Sequence, residues 1–423
     1  MGSTIAVIGA GYVGLTTGAC FAHLGHKVTC ADVVEAKVDS LQRGEIPIHE
    51  AGLEELVRAG MSNGNLSFVL GSEKAVRDAD FVYLCVPTPQ TADGSADLRY
   101  LTAAAKQISP NLQPGTIVVN KSTVPVGSTL LVEQALGRSD IPVVSNPEFL
   151  REGSAVDDFL HPDRVVIGSD DEAAASHVAS LYVDCGAPIM VTDPASAETC
   201  KYAANAFLAT KLSFTNAIAA VCEAVGADVN DVLLGMGYDH RIGREFLRPG
   251  PGWGGSCFPK DSKAIISIAE DAGYDFALMR GVIQANDEQF DRIVRKVESV
   301  TSLDGATVGV LGIAFKAGTD DTRESPAIEV MKRLLAKGAM VKAYDPAVTS
   351  LNLDGVDVVG NAYAACEGAS AIVVATEWNE FTLLDFDRVG TLVAERNMID
   401  ARNLLDRDAL TKRGFTYQGV GRS

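Results

Sequence analysis

The stretch Thr4-Ile5-Ala6-Val7-Ile8-Gly9-Ala10-Gly11-Tyr12-Val13-Gly14, continued by a run to about Leu24 and closed by Lys27-Val28-Thr29-Cys30-Ala31-Asp32, decides the fold. A short apolar run enters a glycine turn, residues to about Leu24 read as helix, and a second apolar run ends in a carboxylate. Strand, turn, helix, strand is the opening unit of a doubly wound α/β domain. In such a unit the first glycine makes a tight turn, the second lets backbone approach a pyrophosphate, and the third lets helix pack on strand. Gly9, Gly11, Val13 and Gly14 are therefore the expected phosphate-binding turn, unless it is a glycine turn that binds nothing. Asp32 lies 18 residues after the third glycine, where an acid accepts from ribose hydroxyls and repels a 2′-phosphate, which favours NAD over NADP. Lys37 either reaches the adenosine side or is a solvated helix lysine.

Outward from this unit, short apolar runs continue at Phe81 to Val86, Thr116 to Val119, Pro142 to Val144 and Arg164 to Gly168, the pattern of a parallel sheet. The period changes from Pro194. Glu198 to Val225 contains neither proline nor glycine and reads as one long helix stopped by Gly226, with further helices at about 261–272 and 276–299. A second α/β pattern starts at Ala306, with strands Thr307 to Leu311, Met340 to Tyr344, Ala371 to Ala375 and Asn397 to Ile399 and a helix near Pro326 to Lys337. The expected architecture is two Rossmann-like lobes joined by helices, with domains 1–193, 194–300 and 301–423. The helical middle is an expected dimer surface.

The 423 residues exceed one ordinary core. A formal charge of -19 argues against nucleic-acid or anionic-membrane partners, so an anionic substrate must meet individually placed cations. No run of 18 apolar residues is free of glycine and charge, and the N-terminus has no basic leader, so neither a membrane span nor a signal peptide is expected and the cytoplasm is the expected location. Eight cysteines without a Cys-x-x-Cys pair fit reduced thiols. The histidines lack metal spacing, and no metal is expected.

Gly252-Trp253-Gly254-Gly255-Ser256-Cys257-Phe258-Pro259-Lys260-Asp261 carries the chemistry. A dehydrogenase that stops at a carbonyl needs no thiol. One that continues to an acid can hold the aldehyde as a thiohemiacetal and lose a second hydride to give a thioester. Glycines give Cys257 close access, and a helix starting near Asp261 would favour its thiolate; the other cysteines read as core. Asp261 can position or deprotonate the water that hydrolyses a thioester, or it can be an acid on a helix dipole. Lys201 and Asn205, four apart on the long helix, share a face and can converge on one oxyanion; the other reading is a surface lysine and a packing amide. Thr123 and Glu148 follow the carboxyl ends of strands, where they can order a water or be ordinary loop residues. Arg241, Lys316 and Arg323 are loop cations in an acidic chain, suited to phosphate or to surface ion pairs.

GAGYVG, Val86-Pro87-Thr88-Pro89, KSTVP, NPEFLREG, KYAAN, DHRIGREF, GPGWGGSCFPKD, FKAGTDDTRESP, YDP and DARN run in one order along nearly the whole chain. Together they resemble the UDP-glucose/GDP-mannose dehydrogenase family. The resemblance implies an N-terminal NAD domain, a helical dimerising middle, a C-terminal sugar-nucleotide domain, and two hydrides passed to two NAD+ per sugar. It makes Cys257 the nucleophile, Lys201 and Asn205 the oxyanion stabilisers, Asp261 the water-activating carboxylate, and Thr123 and Glu148 assistants through ordered water. Asp32, Lys37, Thr88, Thr123, Glu152 and Arg323 match NAD contacts. Glu148, Phe149, Leu150, Glu152, Lys201, Asn205, the loop from Phe246 to Gly254, Phe315, Lys316 and Arg402 match substrate contacts. Arg241 matches an arginine supplied by the partner subunit of a homodimer.

The chain departs from the pattern at Trp253, where many relatives have phenylalanine, and at Ser262-Lys263, where Thr-Arg is commoner. The expected substrate is UDP-glucose, with TDP-glucose and GDP-mannose as alternatives. A two-electron β-hydroxyacid dehydrogenase would share the lobe, the helices and a lysine but would not need Cys257. A catalytically silent sugar-nucleotide sensor would not need the set Lys201, Asn205, Cys257 and Asp261.

Overall fold

A computed structural model describes residues 2–91 and 96–422. The chain forms two compact units, Met1–Ala204 and Asn205–Ser423.

In the first unit, strands β1 (Thr4–Ile8), β2 (Lys27–Asp32), β3 (Leu66–Leu70), β4 (Phe81–Leu84), β5 (Ile117–Asn120), β6 (Val143–Ser145), β7 (Val165–Gly168) and β8 (Ile189–Thr192) form one sheet. Their order is β3-β2-β1-β4-β5-β6-β7-β8, with the direction of winding reversing between β1 and β4. The strands are apolar on both faces because both are covered: Phe21, Leu15 and Phe159 pack on one side, Leu101, Ile108 and Val132 on the other. Alternation of side chains sends Val119 into the first cluster and Val118 into the second.

One strand corrects the sequence reading. Residues 164–168 read as a further parallel strand, but β7 runs antiparallel to β6, Ser145 pairing with Gly168. The connection spends its length on the loop that carries Glu148, and its helix, Ala155–Leu160, has six residues, about 9 Å at 1.5 Å per residue. That is too short to return the chain along the sheet.

The helix Pro194–Val225 has 32 residues and starts four positions before the expected Glu198, with Pro194 at its first turn. It ends at Gly226, whose φ of +75° is a left-handed C-terminal stop. Its length and composition would suffice to cross a bilayer, yet it carries Glu198, Lys201, Asn205, Ser213 and Asn216 in buried positions. Phe207, Phe214, Val221 and Val225 on the same helix are exposed.

The second unit adds helices Val229–Gly237, Phe258–Asp271 and Ala277–Glu298 and a sheet of β9 (Thr307–Leu311), β10 (Met340–Tyr344), β11 (Val356–Val358), β12 (Ala371–Val374), β13 (Asn397–Asp400) and β14 (Thr416–Gly419). Its order, β11-β10-β9-β12-β13-β14, is parallel throughout and repeats the reversal of the first sheet. Ligands of such sheets bind beyond the carboxyl ends of the strands at that reversal.

Candidate active site

The glycine turn after β1 is shaped residue by residue. Gly9 has φ +101°, and a Cβ there would lie 2.5 Å from the Cys85 carbonyl oxygen. A Cβ on Gly14 would lie 1.8 Å from the Gly9 oxygen, so the helix can sit on the strand only without a side chain. A Cβ on Gly11 would meet nothing within 4 Å, which leaves the approach open for a pyrophosphate. Asp32, 8% exposed, accepts from the Ala10 and Val34 N–H groups at 3.0 Å and from Lys37 Nζ at 2.9 Å. Burial opposes its charge, but Lys37 and the two N–H groups outweigh burial and hold the carboxyl below its ordinary value. Lys37 is thus ion-paired with Asp32. These residues fit a dinucleotide whose ribose meets a carboxylate.

At the carboxyl ends of β4, β5 and β6 the expected loop residues come together. Thr88 Oγ1 donates to the Thr123 carbonyl at 2.9 Å. Glu148 and Lys201, 5% and 3% exposed, pair at 3.1 Å between Nζ and Oε1. Burial pushes the Glu148 carboxyl up, but Lys201 and the Leu150 N–H at 2.6 Å pull it below the ordinary range. Lys201 Nζ also stands 5.5 Å from the Phe149 ring centre. Glu50 holds the far end of the same loop: it accepts from Gly153 N at 2.7 Å, from Ala155 N at 2.9 Å and from the hydroxyl of Tyr12 in the glycine turn. Glu152 lies inside this clamp.

In the second unit the helix after the thiol begins at Phe258, three residues before the expected Asp261, and Cys257 is its N-cap. Asp261 therefore lies in the first turn, its N–H bonded to the Cys257 carbonyl at 2.8 Å. Asp261 is fully buried. Its Oδ2 accepts from Asn205 Nδ2 at 2.6 Å, and Lys260 Nζ is 2.8 Å from Oδ1 in an ion pair without hydrogen-bond geometry. Pro259 occupies a position where a helix needs no N–H. Cys257 is partly exposed, whereas burial raises Cys20, Cys85 and Cys366 to about 12, which keeps those thiols unreactive.

The glycine run before the thiol is held by buried amides. Asn286 accepts from Trp253 N at 2.8 Å and donates to Trp253 O at 2.9 Å; Gln289 donates to Gly250 O at 2.8 Å; Asn216 accepts from Gly250 N at 2.8 Å. Trp253 anchors its indole on Ser213 at 2.9 Å, so this departure from phenylalanine adds a hydrogen bond. Gly254 and Gly255 press on the loop after β9: a Cβ on Gly254 would lie 1.8 Å from the Glu324 oxygen, and one on Gly255 2.8 Å from the Phe315 ring. Arg402 donates to the Phe315 carbonyl at 2.9 Å and to Ala375 O at 2.9 Å. Phe246, Glu324 and Asn403 are the non-glycine residues with positive φ among those described, a backbone state that costs of order 1–3 kcal/mol each. All three sit in or beside expected substrate loops.

The structure thus brings Gly254, Phe315 and Arg402, with Lys316 beside Phe315, around two abutting loops, and sets the Phe246 ring 6.4 Å from that of Phe258. Arg323 contributes its carbonyl, which accepts from Gly255 N, while its guanidinium pairs with Asp321. Arg241 is exposed and pairs with Asp239 in its own loop. Sequence reasoning missed the holding residues: Glu50, Glu198, Lys121, Asn146, Asn216, Asn286 and Gln289. For Glu198 the available signal was a carboxylate three residues before Lys201 on the same helix face.

Comparison with known proteins agrees with this geometry. Family models described as the UDP-glucose/GDP-mannose dehydrogenase family match its NAD binding domain at residues 3–185, its central domain at 195–288 and its UDP binding domain at 309–407. The chain is 46% identical to the UDP-glucose 6-dehydrogenase TuaD of Bacillus subtilis over 99% of this chain and 93% of that protein. It is 45% identical to a UDP-glucose 6-dehydrogenase of Rhizobium meliloti over 99% of both. A solved UDP-glucose dehydrogenase of Pyrobaculum islandicum superposes with a TM-score of 0.93 at 39% identity, covering 100% of this chain and 98% of that one. The first unit is an NAD-binding domain, and the open turn at Gly11 and the carboxylate of Asp32 are the features that fit the cofactor. With domain models in the expected order along both units, the chain belongs to the UDP-glucose/GDP-mannose dehydrogenase family.

Proposed function

We propose that the chain oxidises UDP-glucose to UDP-glucuronate, reducing two NAD+ for each sugar. The observation that carries this reading is a partly exposed thiol, Cys257, at a helix N-terminus in a clamped glycine loop of a chain whose first unit binds NAD. Bound NAD supplies the hydride acceptor for both oxidations.

The protein's own groups do the rest. In the first step the C6 hydroxyl loses its proton toward water ordered by Thr123 and Glu148, and Lys201 with Asn205 stabilises the alkoxide as hydride leaves. The Cys257 thiolate adds to the resulting aldehyde, forming a C–S bond and a thiohemiacetal oxyanion that the same pair stabilises. Loss of the second hydride gives a thioester. Water assisted by Asp261 then breaks the C–S bond, releasing the carboxylate and restoring the thiol. Lys316 and Arg402 take the nucleotide, and Asp261 also holds Asn205 in place through the 2.6 Å bond. The buried, doubly engaged carboxylate supports that holding role as strongly as it supports a base.

The working form is a homodimer in this reading. Phe207, Phe214 and Val221 recur at seven-residue spacing on the long helix and are 64%, 48% and 55% exposed, with Val225 at 71%, an unburied stripe suited to a second copy. Arg241, exposed and paired with Asp239 in its own loop, would complete the site of the partner subunit.

Limiting UDP-glucose with excess NAD+ should yield two NADH per sugar by absorbance, with less turnover of TDP-glucose, GDP-mannose or UDP-N-acetylmannosamine. Cys257→Ser should bind both ligands and fail to release uronate. One NADH per sugar in the wild type, or normal uronate from Cys257→Ser, would sink the covalent route; no NADH with any donor would leave the sensor.

A further inference from the structure

Lys121 carries a charge that the reaction above leaves unused. It follows β5, is 4% exposed, and donates to Asn146 Oδ1 at 3.0 Å and the Tyr182 hydroxyl at 3.3 Å. The rings of Tyr182 and Phe159 lie 5.4 and 5.8 Å from its Nζ. Among the described residues no carboxylate is ion-paired with it. Burial, the largest influence, lowers its ammonium to about 8; the Glu148 carboxylate favours its charge and Lys201 opposes it. The remaining titratable groups at its pocket are Tyr182, Tyr83, Cys85 and Cys185, whose neutral forms burial favours.

The fold has little use for this charge. A buried ion without a counterion costs several kcal/mol, which two neutral oxygens only partly offset. The hydrogen-bond chain around it closes by itself: the Tyr182 hydroxyl donates to Asn146 Oδ1 at 2.6 Å, and Asn146 Nδ2 donates to Val166 O at 2.8 Å. An apolar side chain of the same length would fill the space.

The charge matters to its neighbours. Glu148 and Lys201, paired at 3.1 Å, sum to zero. A pair with no net charge is a poor partner for an alkoxide, because an oxyanion responds to the sum of both ends in a low-dielectric site. The ammonium of Lys121, which interacts electrostatically with both Glu148 and Lys201, changes that sum.

We propose that Lys121 is a positioning residue for the oxidation: its buried ammonium gives the Lys121–Glu148–Lys201 cluster a net positive charge toward the developing oxyanion. This rests on the assignment of Glu148 and Lys201 to the reaction. Lys121 touches neither substrate nor cofactor in this scheme and acts through Glu148.

The test is kcat against pH from 6 to 10 for the wild type, Lys121→Met and Lys121→Gln, with thermal melts of each. The charge of Lys121 is present below about 8 and lost above it, so wild-type kcat should fall through an alkaline limb there. Both neutral variants should be slower below that limb by about tenfold, a typical loss for a single charge near reacting atoms, lack the limb, and converge with the wild type above it. Lys121→Met should melt no lower than the wild type. Since the folded lysine deprotonates at about 8 and the unfolded one at about 10.4, the unfolded chain binds more protons between these values. Wild-type stability should therefore rise with pH across that window, and Lys121→Met should lack the rise. Wild-type pH profiles in both variants, or failure of both to fold, would overturn the proposal, the second because the lysine would then serve the fold. Glu148→Gln separates the two readings: normal turnover in that variant would remove Glu148 from the reaction, whereas a slow Glu148→Gln beside normal Lys121 variants would refute the role of Lys121 alone.

Discussion

Asp32→Asn removes a charge and almost no volume, and the hydrogen bonds of Asp32 set the size of the effect. A carboxylate offers about four acceptor sites. The N–H groups of Ala10 and Val34 and the ammonium of Lys37 fill three, at 3.0, 3.0 and 2.9 Å. About one is left for a ribose hydroxyl, and a hydrogen bond to a charged group contributes roughly 1.5–3 kcal/mol, or about ten- to 150-fold in affinity. In the variant the single amide oxygen must serve a backbone N–H, while the NH2 group faces the other donors, so no acceptor remains for the cofactor. Lys37 can turn to water, its side chain being 32% exposed. By calorimetric titration the Kd for NAD should rise by that factor, NADP should be discriminated against less, and kcat at saturating NAD should change little. The carboxyl is held below its ordinary value, so the affinity of the wild type should be flat with pH above about 5, where even an unperturbed aspartate is ionised. Unchanged affinity would show that Asp32 does not meet the ribose. A loss beyond about 10⁴-fold would equally refute the reasoning, since one open acceptor site cannot supply it.

Two further perturbations test the groups that hold the site. Glu198, 2% exposed, accepts from Gly127 N, Thr129 N and Thr129 Oγ1 at 2.7, 2.8 and 2.7 Å; Glu198→Gln leaves one oxygen for these donors, which should cost about 2–5 kcal/mol and lower the melting temperature by roughly 5–15 °C. A shift under about 2 °C would mean the carboxylate does not anchor the helix to the loop beyond Thr123. Gly254→Ala places a Cβ 1.8 Å from the Glu324 oxygen and 2.9 Å from Pro326 Cδ, whereas Gly250→Ala meets nothing nearer than 3.4 Å; the first should raise KM for UDP-glucose at least about tenfold through backbone displacement and the second should be nearly silent. Equal KM values for the two would show that the loops do not depend on this contact.

The α/β pattern was readable because buried parallel strands are short apolar runs and glycine turns have a steric cause. Gly9, Gly14 and Gly226 lie where backbone geometry admits glycine, so their places could be read from residue type. Strand β7 was readable as a strand but not in direction, because direction depends on how the intervening loop spends its length. The pairing of Glu148 with Lys201 was out of reach for a related reason: the partners are 53 residues apart, and no local period records it. The clamps by Glu50, Asn286 and Gln289 were hidden too, since a buried amide or carboxylate in a helix or loop resembles a solvated one until its partner is known. Asp261 was readable as important, but its engagement by Lys260 and Asn205 was not.

The two lobes show how one turn geometry yields two kinds of site. Gly312 after β9 repeats Gly9 after β1, with φ of +107° and +101°, and each lets a neighbouring segment approach, Thr376 in one case and Cys85 in the other. Each second strand leads to an aspartate: Asp32 closes β2 and Asp345 follows β10. Asp32 retains an acceptor site. Asp345 does not: Oδ2 takes the N–H groups of Ile313, Ala314 and Trp378, and Oδ1 those of Ala347 and Val348, at 2.7–3.2 Å. A carboxylate with five donors has nothing left for a ribose. Where the first turn has Gly11 and Gly14 the second has Ala314 and Ala317, and Arg402, paired with Glu377 at 3.0 Å, is bonded to the Phe315 carbonyl. The aspartate that would select a dinucleotide has become a brace for the turn. The second copy of the dinucleotide fold thus lacks the open ribose acceptor of the first, in keeping with its match to a UDP binding domain where the first matches an NAD binding domain.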